Sequence, residues 1–168
     1  MRKAFLLGII GVFSLVFTHD ATASHTGLAF GAPVRISVTL GEYFFKPAKI
    51  TVEAGTPVDI VLENKGILSH VFVAYPAPKT RPKGVGDWYE YVLARTYFQD
   101  MGEIMVHVRG EFIVSGTRIA EVAVEPGKKV TLTFTPAKKG TFEIACQLST
   151  AGGGSHAKAG MIGTLVVK

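Results

Sequence analysis

A period of two in the hydrophobic pattern restricts this chain more than any other feature. In "VRISVTL" (Val34 to Leu40) apolar and polar residues alternate. In "KKVTLTFTP", Val130, Leu132 and Phe134 share one face while Thr131, Thr133 and Thr135 share the other. Successive side chains of a strand point to opposite faces, so such a segment buries one side of a sheet and wets the other. "KITVEAGTPVDIVLEN" reads as a strand, an Ala-Gly-Thr-Pro turn and a second strand, and "SHVFVAY" (Ser69 to Tyr75) as another. "GTFEIAC" sets Phe142, Ile144 and Cys146 on one inward face, and "IGTLVVK" closes the chain. Short strands with Gly/Pro punctuation and almost no helix predict an all-β sandwich or barrel.

Residues 76–118 break the pattern. "GDWYEYVLARTYFQDMG" predicts a helix capped by Asp87, with Glu90 as its capping-box partner and Gly102 as its stop. Trp88, Tyr91, Val92 and Phe98 fall near one face of it. Such a helix either covers an end or edge of the sandwich or offers an aromatic surface to a partner. "EIMVHVRGEFIV" then predicts one or two strands, with Ile104, Val106 and Val108 inward and Met105, His107 and Arg109 outward.

The start of the chain speaks to compartment. "MRK", the uncharged run Ala4 to Phe17 and "ATA" (Ala21 to Ala23) have the three parts of a secretory signal, so residues 1–23 are expected to be removed. The apolar run is about fourteen residues, short of the roughly 20 that span a bilayer. An uncleaved segment would instead anchor the protein facing the periplasm, which is the condition under which membrane contact is expected. Residues 24–168 then form a single extracytoplasmic domain, long enough to bury a core. The whole chain carries 18 basic and 13 acidic residues. Without residues 1–23, which hold Arg2, Lys3 and Asp20, the net charge is +4. The cations are scattered, with no basic run and no interleaved aromatics, which argues against nucleic acid and fits weak steering toward acidic protein faces.

Cys146 is the single cysteine. In an oxidising compartment it has no internal disulfide partner, so it is a buried inert thiol, an intermolecular partner, a nucleophile or a metal ligand. "CQLSTAGGGSHAKAGM" follows it with His156 and Met161, with four residues between them in a Gly-rich loop, a spacing that presents an imidazole and a thioether to one point. His70 opens the strand "HVFVAY" at a position where ligands from separate strands converge. His107 reads as a solvated surface histidine, with a Met101/Met105/His107 copper site as the alternative. His25 lies near the expected mature terminus, where it reads as mobile or, at the exact terminus, as a chelator.

The segment "FKPAKITVEAGTPVDIVLENKGILSHVFV" (Phe45 to Val73), together with the Cys-His-Met run, resembles the cupredoxins, the plastocyanin/azurin-type blue copper proteins. The resemblance implies a Greek-key β-sandwich or barrel with the 76–118 segment as a helix-containing insertion. It implies one copper per chain, cycling between Cu(I) and Cu(II), held by His70, Cys146, His156 and axial Met161. Two imidazoles, a thiolate and a weak thioether suit both oxidation states of copper and suit zinc poorly.

Two departures stand out. Nine residues separate Cys146 from His156, where the family usually has two to four. The longer loop costs only about 0.7 kcal/mol in closure entropy, and is expected to loosen the site and tilt its colour from blue toward green. Val71 also stands where many relatives have an Asn that braces the ligand loop, leaving Ser69 or Asn64 as substitutes.

The function implied is one-electron transport between extracytoplasmic redox proteins, such as c-type cytochromes or a terminal oxidase, without a small-molecule substrate. A copper carrier or resistance protein is the rival reading. An enzyme of the nitrite-reductase or multicopper-oxidase kind would need a second copper site, and the chain has no His-x-His and no His-Cys-His. A dinuclear centre would need a second cysteine.

Overall fold

The computed structural model describes residues 31–81, 84–108 and 111–168. The expected signal segment and His25 lie outside the described residues, as does Arg109. Among the described residues, eleven strands and one helix follow in the order β1 (Val34–Gly41), β2 (Phe44–Lys46), β3 (Lys49–Val52), β4 (Val58–Asn64), β5 (His70–Tyr75), α1 (Val85–Ala94), β6 (Gln99–Val108), β7 (Glu111–Arg118), β8 (Val122–Val124), β9 (Lys129–Phe134), β10 (Gly140–Ala145) and β11 (Ile162–Val167). They build two sheets, β2-β1-β4-β9-β6-β7 and β3-β11-β10-β5-β8. The alternating pattern therefore folds as the all-β sandwich it predicts.

The Ala-Gly-Thr-Pro turn carries the chain from one sheet to the other. β3 pairs in parallel with β11, whereas β4 pairs in parallel with β1, so the two strands flanking the turn are not partners. Gly55 sits at φ +80°, a left-handed conformation that glycine takes without a Cβ clash. Leu40, Ile60, Leu62, Phe72, Phe98, Ile104, Leu132 and Phe134 fill the space between the sheets and are fully buried. Each such side chain contributes roughly 1.5–3 kcal/mol relative to exposure. Phe98 meets both Phe72 and Phe134, with ring centroids 6.0 and 5.3 Å away.

β5 is buried on both faces. Val71, Phe72 and Ala74 belong to the central core, while Val73 and Tyr75 join Val92, Ala145 and Ala157 in a second cluster under Trp88 and Tyr91 of α1. That double burial explains why "HVFVAY" reads as a continuous apolar run rather than an alternating one. The helix is the lid over this outer face, as its structural reading expects.

Its boundaries differ from expectation. Gly84, not Asp87, is the N-cap, and the helix ends at Ala94 with Arg95 as C-cap, well before Gly102. The stop comes from Thr96, whose hydroxyl donates to the carbonyl of Ile119 and accepts the N–H of Phe98. This turns Phe98 off the helix and into the central core. Gly102 (φ +85°) instead lies in β6, where the register with β7 jumps between Gln99 and Ile104. The 76–118 insertion thus contains the expected helix and also supplies β6 and β7, which extend the six-stranded sheet beyond β9.

Candidate metal centre

His70 is the first residue of β5, and Cys146 directly follows β10, the strand beside it. Both are fully buried and His156 nearly so. The Nδ1 atoms of His70 and His156 are 3.2 Å apart. The Sγ of Cys146 lies 3.4 Å from Nδ1 of His156 and 4.0 Å from Nδ1 of His70. Among the described residues this is the one group of three or more His, Cys, Asp or Glu able to hold a metal ion. His107 is not part of it; it lies on β6 in the other sheet.

The triangle can be tested against a metal. A point equidistant from three atoms separated by 3.2, 3.4 and 4.0 Å lies about 2.1 Å from each. Metal–imidazole and metal–thiolate bonds run at about 2.0–2.3 Å. Both imidazoles present the same nitrogen, Nδ1, and the buried thiol accepts the N–H of Val71 at 3.3 Å. Burial raises the pKa of this thiol and the Val71 N–H only opposes the rise, so the thiolate would form as a metal displaces the proton. Two nitrogens and one sulfur in a plane, closed from water, form a donor set of the copper type.

The long ligand loop is folded rather than slack. Ser149 and Ser155 form a β-bridge, and Thr150 closes the turn between them: its carbonyl accepts the N–H of Gly153, its N–H donates to the carbonyl of Gly154, and its hydroxyl accepts the N–H of Gly154. His156 then donates its N–H to the carbonyl of Leu148, and Ala157 donates to the carbonyl of Cys146. The extra residues form a small closed excursion, and His156 returns beside the cysteine without the loosening that loop length alone suggests. Met161 is fully buried. Its N–H donates to the carbonyl of His156, and its carbonyl accepts the N–H of Cys146. On the α1 side of this loop runs a groove of about 790 Å³, lined largely by apolar groups of Trp88, Leu148, Ala157 and Ile162.

Asn64 supplies the brace that Val71 does not. Its side chain is buried, donates to the carbonyls of Leu68 and Val124 at 2.8 Å each, and accepts the N–H of Gly66 at 2.9 Å. Ser69 adds a hydroxyl bond to Glu125 at 2.5 Å. Both substitutes named from the sequence are used, and both tie the turn before His70 to β8 or the residue after it.

Other neighbours of the site were not read from the sequence. The β1–β2 turn places Tyr43 edge-on to the ring of His156, with centroids 5.2 Å apart, and brings the Glu42 carboxylate to 4.0 Å from Nε2 of His70. Gln147 donates to the hydroxyl of Tyr75, which donates to Glu143, itself paired with Arg81. Only the tertiary fold brings Glu42 and Tyr43 to the ligands, so no local signal marks them.

No family-level sequence profile matches the chain. The copper-resistant cuproprotein CopI of Pseudomonas aeruginosa is 31% identical over 173 aligned positions, covering 94% of this chain and 93% of that protein. The chain is a cupredoxin of the CopI family. Auracyanin A of Chloroflexus aurantiacus, a "blue" copper protein, shares the fold with a TM-score of 0.51 at 21% identity, covering 82% of this chain and all of that one. A multicopper oxidase of Pediococcus acidilactici shares it with a TM-score of 0.54 at 10% identity, matched over 31% of its own chain.

The metal-free state of this cupredoxin has a predictable pH response. Burial lowers the pKa of His70, aided by the charge of His156 and opposed by Glu42, and burial likewise lowers that of His156. Both imidazoles therefore stay neutral and ready for metal at neutral pH. A base whose folded pKa is depressed gives up stability as pH falls below its unfolded value, because the unfolded chain binds protons first. The metal-free protein is expected to lose stability from about pH 6.5 downward, by up to about 1.4 kcal/mol per pH unit for each histidine. Denaturant midpoints of the metal-free protein between pH 8 and 5 measure this, and a flat profile would contradict it.

Proposed function

We propose that this cupredoxin is an extracytoplasmic one-electron carrier, working in the periplasm, with copper held by His70, Cys146 and His156 and weakly by Met161. The observation that carries the reading is the buried Nδ1, Nδ1, Sγ triangle. When bound there, copper supplies a reversible one-electron couple. The protein's part is to keep the donors fixed, so that little rearrangement accompanies the change of oxidation state. β5 and β10 hold His70 and Cys146 on adjacent strands, and the bridged loop holds His156 and Met161 against them.

The electron is expected to cross at the face next to the imidazoles. Phe44, at the start of β2, and Ile67 and Leu68, in the turn before His70, are exposed apolar residues beside the two imidazole-contacting turns, with Ile67 at 83% exposure. An apolar surface of this kind lets a partner come close without a large desolvation cost. Ala157 is packed under α1 and is no part of such a face; Lys158 and Ala159 are exposed. The partners proposed are redox proteins such as c-type cytochromes or a terminal oxidase, weakly steered by scattered lysines.

The similarity to CopI supports a second reading, in which the protein buffers or delivers copper. The two readings separate in one set of experiments on the copper-loaded protein. Stopped-flow electron exchange with a c-type cytochrome is expected to be fast and to slow severalfold in Ile67→Lys, with the visible spectrum unchanged. Slow exchange, combined with ready transfer of copper to a chelator or acceptor protein, would give the case to the copper carrier.

A further inference from the structure

Nε2 of His70 is fully buried and has no hydrogen-bond partner, while a carboxylate stands 4.0 Å away. A ligating histidine usually donates its second ring N–H to a carboxylate, carbonyl or water, which fixes the ring and its tautomer. Here the nearest candidate is Glu42, which is held in place by its own contacts. Its Oε1 accepts the N–H groups of Ile67 at 2.6 Å and Leu68 at 3.2 Å. Those bonds keep the carboxyl ionised, with its pKa below the usual carboxylate range.

The surroundings are shaped to this carboxylate. Gly66 lies against it so closely that a Cβ there would collide with the Glu42 carboxyl group. Tyr43, next in the turn, adopts φ +66°, a left-handed conformation unusual for a side chain of its size. That conformation accompanies the edge-on contact of Tyr43 with His156. A single two-residue turn therefore touches both imidazoles, Glu42 at His70 and Tyr43 at His156.

We propose that Glu42 is a positioning residue of the metal centre, the carboxylate that receives the Nε2–H of His70, with the Glu42–Tyr43 turn as the clamp for both histidines. The inference rests on the copper reading of the site. Closing the 4.0 Å gap to hydrogen-bond length requires a shift of about 1 Å. The bond would hold His70 in the tautomer whose Nδ1 is free for metal. A fixed negative charge beside the imidazole also favours the more positive oxidation state of copper.

Glu42→Gln tests this with little change of shape, since the amide oxygen still accepts from Ile67 and Leu68. In wild type, ¹⁵N spectra of the metal-free and Cu(I) proteins are expected to show His70 protonated at Nε2, with slow exchange of that proton. In the variant the exchange accelerates, the reduction potential rises, and copper affinity falls about 10- to 100-fold. Gly66→Ala pushes the carboxylate aside while keeping its charge, and is expected to speed the same proton exchange. An unchanged potential and unchanged His70 exchange in Glu42→Gln would overturn the proposal. Failure of the copper reading shows separately, as wild-type protein that binds no copper at His70 and Cys146.

Discussion

Cys146→Ser is expected to abolish the visible colour of the copper-loaded protein while leaving the fold intact. The colour of a copper–thiolate site comes from charge transfer out of sulfur, which a hydroxyl oxygen does not supply. The thiol is buried with the N–H of Val71 pointing at it, and a serine oxygen accepts that N–H equally well. The metal-free variant should therefore unfold within about 1 kcal/mol of wild type, the scale of one neutral hydrogen bond. Copper binding should weaken sharply, because one of three strong donors is replaced by a group that stays protonated at neutral pH. Met161→Leu is the contrasting variant. It should keep both colour and copper, with the reduction potential shifted upward by loss of a weak donor that favours Cu(II). Absorption spectra and titration with copper decide the matter. Full colour in Cys146→Ser would remove the cysteine from the site, and an unchanged potential in Met161→Leu would remove the methionine.

The sandwich was legible because burial of one face per strand writes itself into sequence at a period of two. β1, β9 and β10 show it directly. β8 was not, since three residues, Val122–Val124, are too few for a period to register. The helix was legible as a helix but not in its extent. Its end is set by Thr96 reaching to Ile119, a contact between distant positions that no local stop signal announces. At the metal centre the same division holds. His70 and Cys146 announce themselves by residue type and by position at strand ends, and His156 by residue type and its place in the Gly-rich loop. Asn64 is half-legible, as an Asn-x-Gly turn whose Gly66 N–H returns to the side chain. Glu42 reads as an ordinary charged residue in a hairpin turn, and only the pairing of β1 with β4 brings it to the turn before His70. The nine-residue spacer misled in a different way. The backbone bonds inside the excursion decide how firmly His156 is held, and chain length says nothing of those.

Asn64→Ala is expected to have the second large effect, through the turn that delivers His70. Asn64 ends β4, and its side chain crosses to β8 while spanning the turn that leads into His70. Alanine removes all three bonds at once. It strands the carbonyls of Leu68 and Val124 and the N–H of Gly66, at least one of them in a fully buried position. A lost hydrogen bond that leaves a buried partner costs about 1–3 kcal/mol, and the exposed share of this turn recovers part of that by hydration. The expected loss is about 2–4 kcal/mol for the metal-free protein, a substantial fraction of a small domain's stability. Copper affinity should fall with it, about tenfold, because the turn that delivers His70 must then be ordered when metal binds. Asn64→Asp separates the contributions: it keeps the acceptor for Gly66, loses both donated bonds, and should fall at least as far because its charge is buried beside two carbonyls. Denaturant unfolding of the metal-free forms, paired with copper titrations, gives both quantities. A loss under about 0.5 kcal/mol with unaltered copper affinity would mean that the bonds of Ser69 and Glu42 hold the turn unaided. His70 would then owe its position to the clamp on the other side of the ring rather than to Asn64.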